Sequence, residues 1–360
     1  DLALRPRDHS IRELAIQQGE SLSQFIRGLR EDLTGLRTQL DEQIAGGVVR
    51  VNDLLNRIEQ LNSQIAATEG GFGGANSLRD QRDALLTELA EQLDISTVEQ
   101  PSGATDVFVG STPIILNGES RGVELRETTD DDGNLELTLT VADDGTPLVA
   151  QSGRLGTLML ARVGTVNQSL DSLDSFAGHL IYQVNRLHSV GQPILRDSSY
   201  TSDYRVADAD AVLNAAAADL DFTPLHGSFD LHVTQKATGE RVTSTIAIDL
   251  DGIDSSTDTT LNSLAAQISA VTNVDATVTS DGRLKIAAST EDFALSFSDD
   301  SSGVLAALGI NTFFSGSNAL DVNINPLVES NPDRVSTALG HADGDNRTAL
   351  AIAGLRERAL

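Results

Sequence analysis

Six histidines, His9, His179, His188, His226, His232 and His341, are the side chains best suited to ligate a metal or carry a proton. No pair stands at i, i+4, and the chain has no cysteine to share a zinc ion with them. His179 and His188 fall in a helical stretch and read as surface or half-buried side chains. Two acidic runs, DLDGID with Asp249, Asp251 and Asp254, and DDDGN at residues 130–134, place carboxylates around a glycine as a calcium loop does. Neither has a glutamate at the twelfth position, so both read as solvated turns. Nucleophile chemistry is not expected, because no G-x-S-x-G elbow is read and without cysteine the thiol route is closed. Lys236 and Lys285 do not follow a glycine, so no P-loop forms, and GGFGGAN lacks the G-x-G-x-x-G spacing. With 53 acidic residues, some carboxylate pair falls at glycosidase distance by chance and has no specificity. The sequence therefore predicts no catalytic, cofactor-binding or metal residues, and no enzyme.

The balance of charge narrows the partners. A formal charge of −28, from 25 basic and 53 acidic residues, repels both a nucleic-acid backbone and an anionic membrane surface. No apolar run approaches the ~18 residues a bilayer span needs. At 360 residues the chain has room for two or three cores, and with 4% aromatic residues and no Trp those cores must be aliphatic.

The elements follow from apolar spacing. Leu22, Phe25, Leu29, Leu33, Leu36, Leu40, Ile44, Val48, Val51, Leu55, Ile58, Leu61 and Ile65 recur at steps of three or four and predict one long helix. The phase holds across Gly46 and Gly47, so a continuous rod on the order of 65 Å is expected over residues 22–66. A glycine-rich turn then returns the chain into a second helix beginning at NSLRDQRDALL, with Ser77 as the expected cap. A third helix over residues 153–188 carries Leu155, Met159, Val163, Val166, Leu170, Leu173, Leu180, Val184 and Leu187 on one face. Between them, short β-prone runs separated by SGATD, NGES, DDDGN and DDGT predict a small antiparallel insert. A second β region, with one helix over residues 259–271 and a hairpin turn at residues 280–282, follows residue 227.

The fold class expected is α+β and multidomain: an elongated α-helical bundle of long antiparallel helices with small inserted β-rich domains. Its divisions are a helical bundle over residues 1–94, a β domain over 95–152, and a return helix and loop over 153–205. An outer β-rich domain with one helix over 206–307 and a return segment with the start of a bundle helix over 308–360 complete it.

Four blocks carry a family resemblance. NSLRDQRDALLTELAE resembles the "LLDQRDxLLxEL" signature of the flagellar hook-associated protein 1 (FlgK) family, and VNDLLNRIEQLNSQI resembles its upstream helix with paired asparagines at Asn52 and Asn62. LGINTFFSGSNALDVNINPLVESNPDRV and GDNRTALAIAGL resemble two later family runs, and the four stand in family order across nearly the whole chain. Residues 206–307 also look like the flagellin IN module, a strand, strand, helix, strand, strand unit, although Ile268-Ser269 stands where an Ile-Asn pair is usual.

The resemblance implies a non-catalytic, extracellular adaptor joining flagellar hook to filament, exported through the type III channel without a cleaved signal. It implies the hook protein, the adjacent junction protein and copies of itself in a ring as partners, with no cofactor, nucleic acid or membrane. Family members carry further terminal helices, so this chain is expected to be a core fragment, monomeric alone, with an export chaperone recognising the C-terminal helix it lacks. The motif residues are Asn52, Leu55, Ile58, Asn62, Leu78, Arg79, Asp80, Gln81, Arg82, Asp83 and Leu86. They are expected to build the hairpin locally or to meet a neighbouring subunit; Asp80 lies near a helix N-terminus, which favours a carboxylate. The alternatives are a secreted adhesin or glycan-binding module on a helical stalk, which the few aromatic platforms disfavour, or a flagellin or filament cap.

Overall fold

Helical periodicity over the first sixty-odd residues is realised without a break. In the computed structural model, which describes residues 1–70, 74–129, 135–253, 257–340 and 344–357, helix α1 spans His9–Glu69. Its 61 residues cover ~90 Å at 1.5 Å each. Gly46 faces open space, whereas a Cβ on Gly47 would lie 2.5 Å from Cδ2 of the buried Leu155. The second glycine is therefore a point of close side-chain approach inside an intact helix. The expected stripe divides in two: Ile44, Val48, Val51, Leu55, Ile58 and Ile65 are buried, but Leu22, Phe25, Leu29 and Leu36 are exposed. Over that earlier stretch Ile16, Ser23 and Ile26 form the buried face instead.

The chain forms two compact units, residues 31–171 and residues 1–30 with 172–360. In the first, helix α2 spans Asn76–Gln92 and follows Ala75, with no side-chain cap. Ser77, the expected cap, lies inside the helix and is exposed, because the cap position falls two residues earlier, at Ala75. Strands β1 (Ile95–Glu99), β2 (Thr105–Val109), β3 (Thr112–Leu116) and β4 (Glu119–Ser120) form an antiparallel sheet in sequence order. Strands β5 (Val123–Thr129) and β6 (Leu135–Val141) form a separate hairpin, and the DDDGN run between them lies outside the described residues. Leu137, Leu139 and Val141 point into a core shared with Val51, Leu54, Leu55 and Ile58 of α1, Leu85 and Leu89 of α2, and Val107, Ile114 and Ile115 of the sheet. Burying an aliphatic side chain of this size is worth roughly 1.5–3 kcal/mol, so the aliphatic contacts across α1 hold the inserted strands.

The expected third helix has three parts: α3 (Gly153–Leu160), a π-helical segment Ala161–Asn167, and α4 (Gln168–Ser189). The wider π turn shifts the helical phase. Arg162 consequently faces inward and pairs with Asp41, while Val163, expected inward, is 47% exposed.

The second unit holds strands β7 (Ser199–Thr201), β8 (Gly227–Gln235) and β9 (Arg241–Ile248), helix α5 (Leu261–Ser269), and strands β10 (Val274–Val278), β11 (Leu284–Ala288) and β12 (Phe293–Ser298). They make two antiparallel sheets, β12-β8-β9 and β10-β11-β7, around a core of Phe229, Phe297, Leu264, Ile268 and Ile286. Helix α5 is shorter than expected because Thr260 caps it: its Oγ1 accepts from Ser263 N–H at 3.1 Å, and Ser263 Oγ accepts from Thr260 N–H at 2.9 Å. The β10–β11 turn needs Gly282, whose φ is +81° and whose Cβ would meet the Val206 carbonyl at 2.3 Å. Helix α6 (Val304–Leu308), strands β13 (Phe314–Ser315) and β14 (Asn323–Ile324), and helices α7 (Pro326–Ser330) and α8 (Arg347–Gly354) complete the unit.

The two adjacent glycines of α1 are expected to respond oppositely to alanine. Gly46→Ala gains helix propensity and should raise stability by up to ~1 kcal/mol. Gly47→Ala must displace Leu155 and should lower it, as paired thermal or urea melts would show.

Candidate functional site

The motif residues converge where α1 meets α2 and the first sheet. Asn62 is buried on α1, and its Nδ2 donates to the Thr105 carbonyl at 3.0 Å while its Oδ1 accepts from Thr105 N–H at 3.0 Å. Asn52, one face along the same helix, does the same with Val123: Nδ2 to the carbonyl at 2.8 Å, and Val123 N–H to Oδ1 at 2.9 Å. Each side-chain amide thus pairs with one strand residue as a neighbouring strand's peptide would. Leu55 and Ile58 are fully buried between the two asparagines.

Across the hairpin, Arg82 is only 3% exposed and donates through Nη1 to the Gly103 carbonyl at 2.7 Å and to Asn62 Oδ1 at 3.3 Å. Gly103 has φ +82°, and a Cβ there would meet Glu69 Oε2 at 2.6 Å, so the loop presenting its carbonyl requires glycine. Arg79 makes a bidentate pair with Glu69, both contacts at 2.8 Å, and reaches Glu99 Oε1 at 2.6 Å. That hydrogen-bonded fork holds the Glu69 carboxyl below the usual carboxylate range and raises the Arg79 guanidinium. Leu78 and Leu86 are half-buried, whereas Asp80, Gln81 and Asp83 are exposed and lie on the outer side of α2. The LRDQRD motif therefore sorts by face, its arginines gripping the hairpin inward and its other polar residues left to solvent.

Sequence reasoning missed a third clamp. Asn185 of α4 is fully buried, donates to the Phe314 carbonyl at 2.9 Å, and accepts from the N–H groups of Phe313 and Phe314 at 3.0 and 2.9 Å. The available signal was an asparagine on the apolar face marked by Ile181, Val184 and His188.

The chemically suggestive residues resolve into structural ones. His188, read as surface or half-buried, is fully buried: Ser336 N–H donates to Nε2 at 2.9 Å, so the proton sits on Nδ1 and is donated to the Asn311 carbonyl at 2.8 Å. Burial, with the nearby Arg12 charge, pushes this imidazole down to about 4. His179 is exposed, and His232 lies between Thr243 Oγ1 and Ser298 Oγ at 2.8 and 2.9 Å. His226 comes within 4.8 Å of Asp249 and Asp251, but its Nδ1 already accepts from Leu250 N–H at 3.2 Å; Asp254 and His341 lie outside the described residues. A G-x-S-x-G run does occur at residues 118–122. It spans β4 and the turn into β5, not a strand-to-helix elbow, and Ser120 Oγ accepts from Gly122 N–H at 3.3 Å.

Comparison with known proteins bears on this arrangement. Residues 1–197 match the family described as "Flagellar hook-associated protein FlgK helical domain". The chain is 22% identical over 275 residues to flagellar hook-associated protein 1 of Salmonella typhimurium, covering 70% of this chain and 49% of that protein. It is 23% identical over 180 residues to the Bacillus subtilis protein of the same name, covering 50% of this chain and 35% of that one. The chain therefore spans half or less of the length of these curated relatives. Among solved structures, the flagellar hook junction protein FlgK from Burkholderia pseudomallei shares the fold at a TM-score of 0.52 and 17% identity, over 94% of this chain and 57% of that one.

Two outcomes are expected from the clamps and the buried imidazole. Asn62→Leu leaves the N–H and carbonyl of Thr105 unpaired and should cost about 2–4 kcal/mol in urea unfolding, and a double-mutant cycle with Arg82→Met should show coupling. Because His188 is held near 4 when folded against an ordinary 6.5, the unfolded chain takes up its proton first as pH falls. Its contribution should be constant above about pH 6.5 and be lost progressively toward pH 4, a step that His188→Gln should remove from the stability profile.

Proposed function

Because this chain belongs to the family of the flagellar hook-associated protein FlgK, matched over 197 of its 360 residues, we propose that it works at the junction of flagellar hook and filament as a non-catalytic mechanical adaptor. Its place is outside the cell, and its partners are the hook protein, the adjacent junction protein and further copies of the same protein. The observation that best supports this reading is α1: one uninterrupted 61-residue helix to which strands are fixed by side-chain amides. Such clamps transmit displacement of the helix to the strands through short, directional bonds.

The exposed apolar residues of the same helix support a role in lateral contact. Leu22, Phe25 and Leu29 lie within about 60° of one another on a helix of 100° per residue, and Phe25 is 68% exposed. Apolar residues on one line of a long helix suit packing against a neighbouring helix of an axial assembly.

The purified chain is expected to sediment as a monomer at micromolar concentration. In the bacterium that encodes it, Phe25→Glu with Leu29→Glu should release filaments into the medium and abolish swimming, while the melting of the purified chain stays within ~1 kcal/mol of the original. Normal filament retention by a stably produced double variant would contradict the reading.

A further inference from the structure

The unit made of residues 1–30 and 172–360 contains a cavity that neither the clamps nor the proposed junction role uses. It measures about 100 Å³ and is walled by Arg12, Gln192, Thr234 and Thr337, with Arg7 and Arg196 also on its lining. Gln192 is 95% buried at 5% exposure, and neither its side-chain nitrogen nor its oxygen has a protein partner. Thr234, equally buried, has an unpartnered hydroxyl. These groups are not loosely held. The backbone of Gln192 is fixed on both sides, its N–H donating to the Ala338 carbonyl at 2.6 Å and its carbonyl accepting from Thr337 N–H at 3.3 Å. Thr234 belongs to the paired strand β8. Buried polar atoms in native proteins are almost always satisfied, so three such atoms on one cavity wall mark a place built to hold something polar.

The chemistry of the wall selects the occupant. Arg12 is fully buried, and its guanidinium donates to the carbonyls of Pro6, Pro332 and Val335 and to Thr337 Oγ1. No carboxylate forms an ion pair with it among the described residues, although Asp333 lies close enough to favour the charged form. Four of the five guanidinium N–H bonds are used, leaving one on Nη2. Thr337 Oγ1 has accepted one hydrogen bond and still has its own proton to donate. Adding the Gln192 amide hydrogens and the Thr234 hydroxyl, donors outnumber acceptors; Gln192 Oε1 is the one unpartnered acceptor without a proton of its own. Asp345, also on the lining, is already held by Arg347 and by the N–H groups of Leu339 and Gly340. Arg12 and Arg196 place positive charge on the lining of a cavity in a chain whose net charge is −28.

We propose that this cavity binds a small oxyanion of the carboxylate or phosphate class, held by Gln192 Nε2, Thr234 Oγ1 and the Arg12 guanidinium. A cavity of about 100 Å³ has room for one such anion, since ~10–15 Å³ of such space already admits a water molecule. Arg196, exposed on the lining, draws the anion in from solvent.

Calorimetric titration of the purified chain with sodium phosphate and with sodium acetate, at constant ionic strength set by chloride, tests this. One saturable site for either anion is expected, with a shift of the Gln192 side-chain amide resonances in the ¹⁵N-labelled protein. Gln192→Leu should weaken binding at least tenfold, and Thr234→Val should weaken it with the strand pairing intact. Should Gln192→Leu fail to fold, the resonance shift in the unaltered protein decides. No saturable heat with either anion up to tens of millimolar, Gln192 resonances that chloride moves equally, or full affinity in a folded Gln192→Leu variant would each overturn the site and leave it a pocket for water only.

Discussion

A helix has no backbone groups to spare for a neighbouring strand, because its own ladder consumes them. That constraint shapes the hairpin unit, where short strands must be fixed against α1 although no strand borders it. The solution is the asparagine side chain, whose amide repeats the donor and acceptor of a peptide group at the right separation. Asn52 holds Val123 and Asn62 holds Thr105, each by a reciprocal pair of bonds. Apolar contact alone would let these short strands slide along a smooth aliphatic surface, since burial is non-directional. The amides fix which strand residue faces which helical turn. Asn185 applies the same device on α4, holding the two phenylalanines that begin the segment leading to β14.

Arginine completes what asparagine begins. All basic residues except Lys236 and Lys285 are arginine, and three of them, Arg12, Arg82 and Arg162, are buried. A guanidinium can satisfy several carbonyls at once from a planar fork, which an ammonium cannot do with comparable geometry. Arg82 ties Gly103 to Asn62, joining the loop between β1 and β2 to the α1 clamp. Arg12 gathers Pro6, Pro332, Val335 and Thr337, bringing together segments more than 300 residues apart in sequence. An acidic chain gains from this economy: Arg12 and Arg82 sit where backbone carbonyls need donors, and Asp106 and Asp258 are the carboxylates counted as buried among the described residues.

Much of the framework was readable because periodicity survives wherever one face is buried. The stripe over residues 44–65 and the alternation of Leu137, Leu139 and Val141 became α1 and β6 as expected. Strand β1 was not readable, since four of its five side chains are exposed and impose no pattern. Strand β7 is three residues long, too short to show any. The π segment was equally invisible: an added residue in a helical turn leaves apolar spacing plausible at both ends, and only Arg162 and Val163 exchanging faces reveals it. At the motif, the residue types stood out but their roles did not. Nothing in LRDQRD distinguishes the buried Arg82 from the exposed Asp83, because the distinction is set by Gly103, twenty-one positions later.

The division of α1 into a committed and an uncommitted stretch follows from the same physics. Over residues 44–65 every apolar position of the stripe except Leu61 is fully buried, and the polar positions that interrupt it, Asn52 and Asn62, are bonded to strands. Over residues 22–29 the stripe is exposed while Ile16, Ser23 and Ile26 turn inward, so the helix there has two apolar faces and its own unit uses one. Isolated exposed leucines are ordinary on a protein surface. Leu22, Phe25 and Leu29 along one line of the helix are different, because their solvent cost is shared by a single surface that one neighbouring helix can cover.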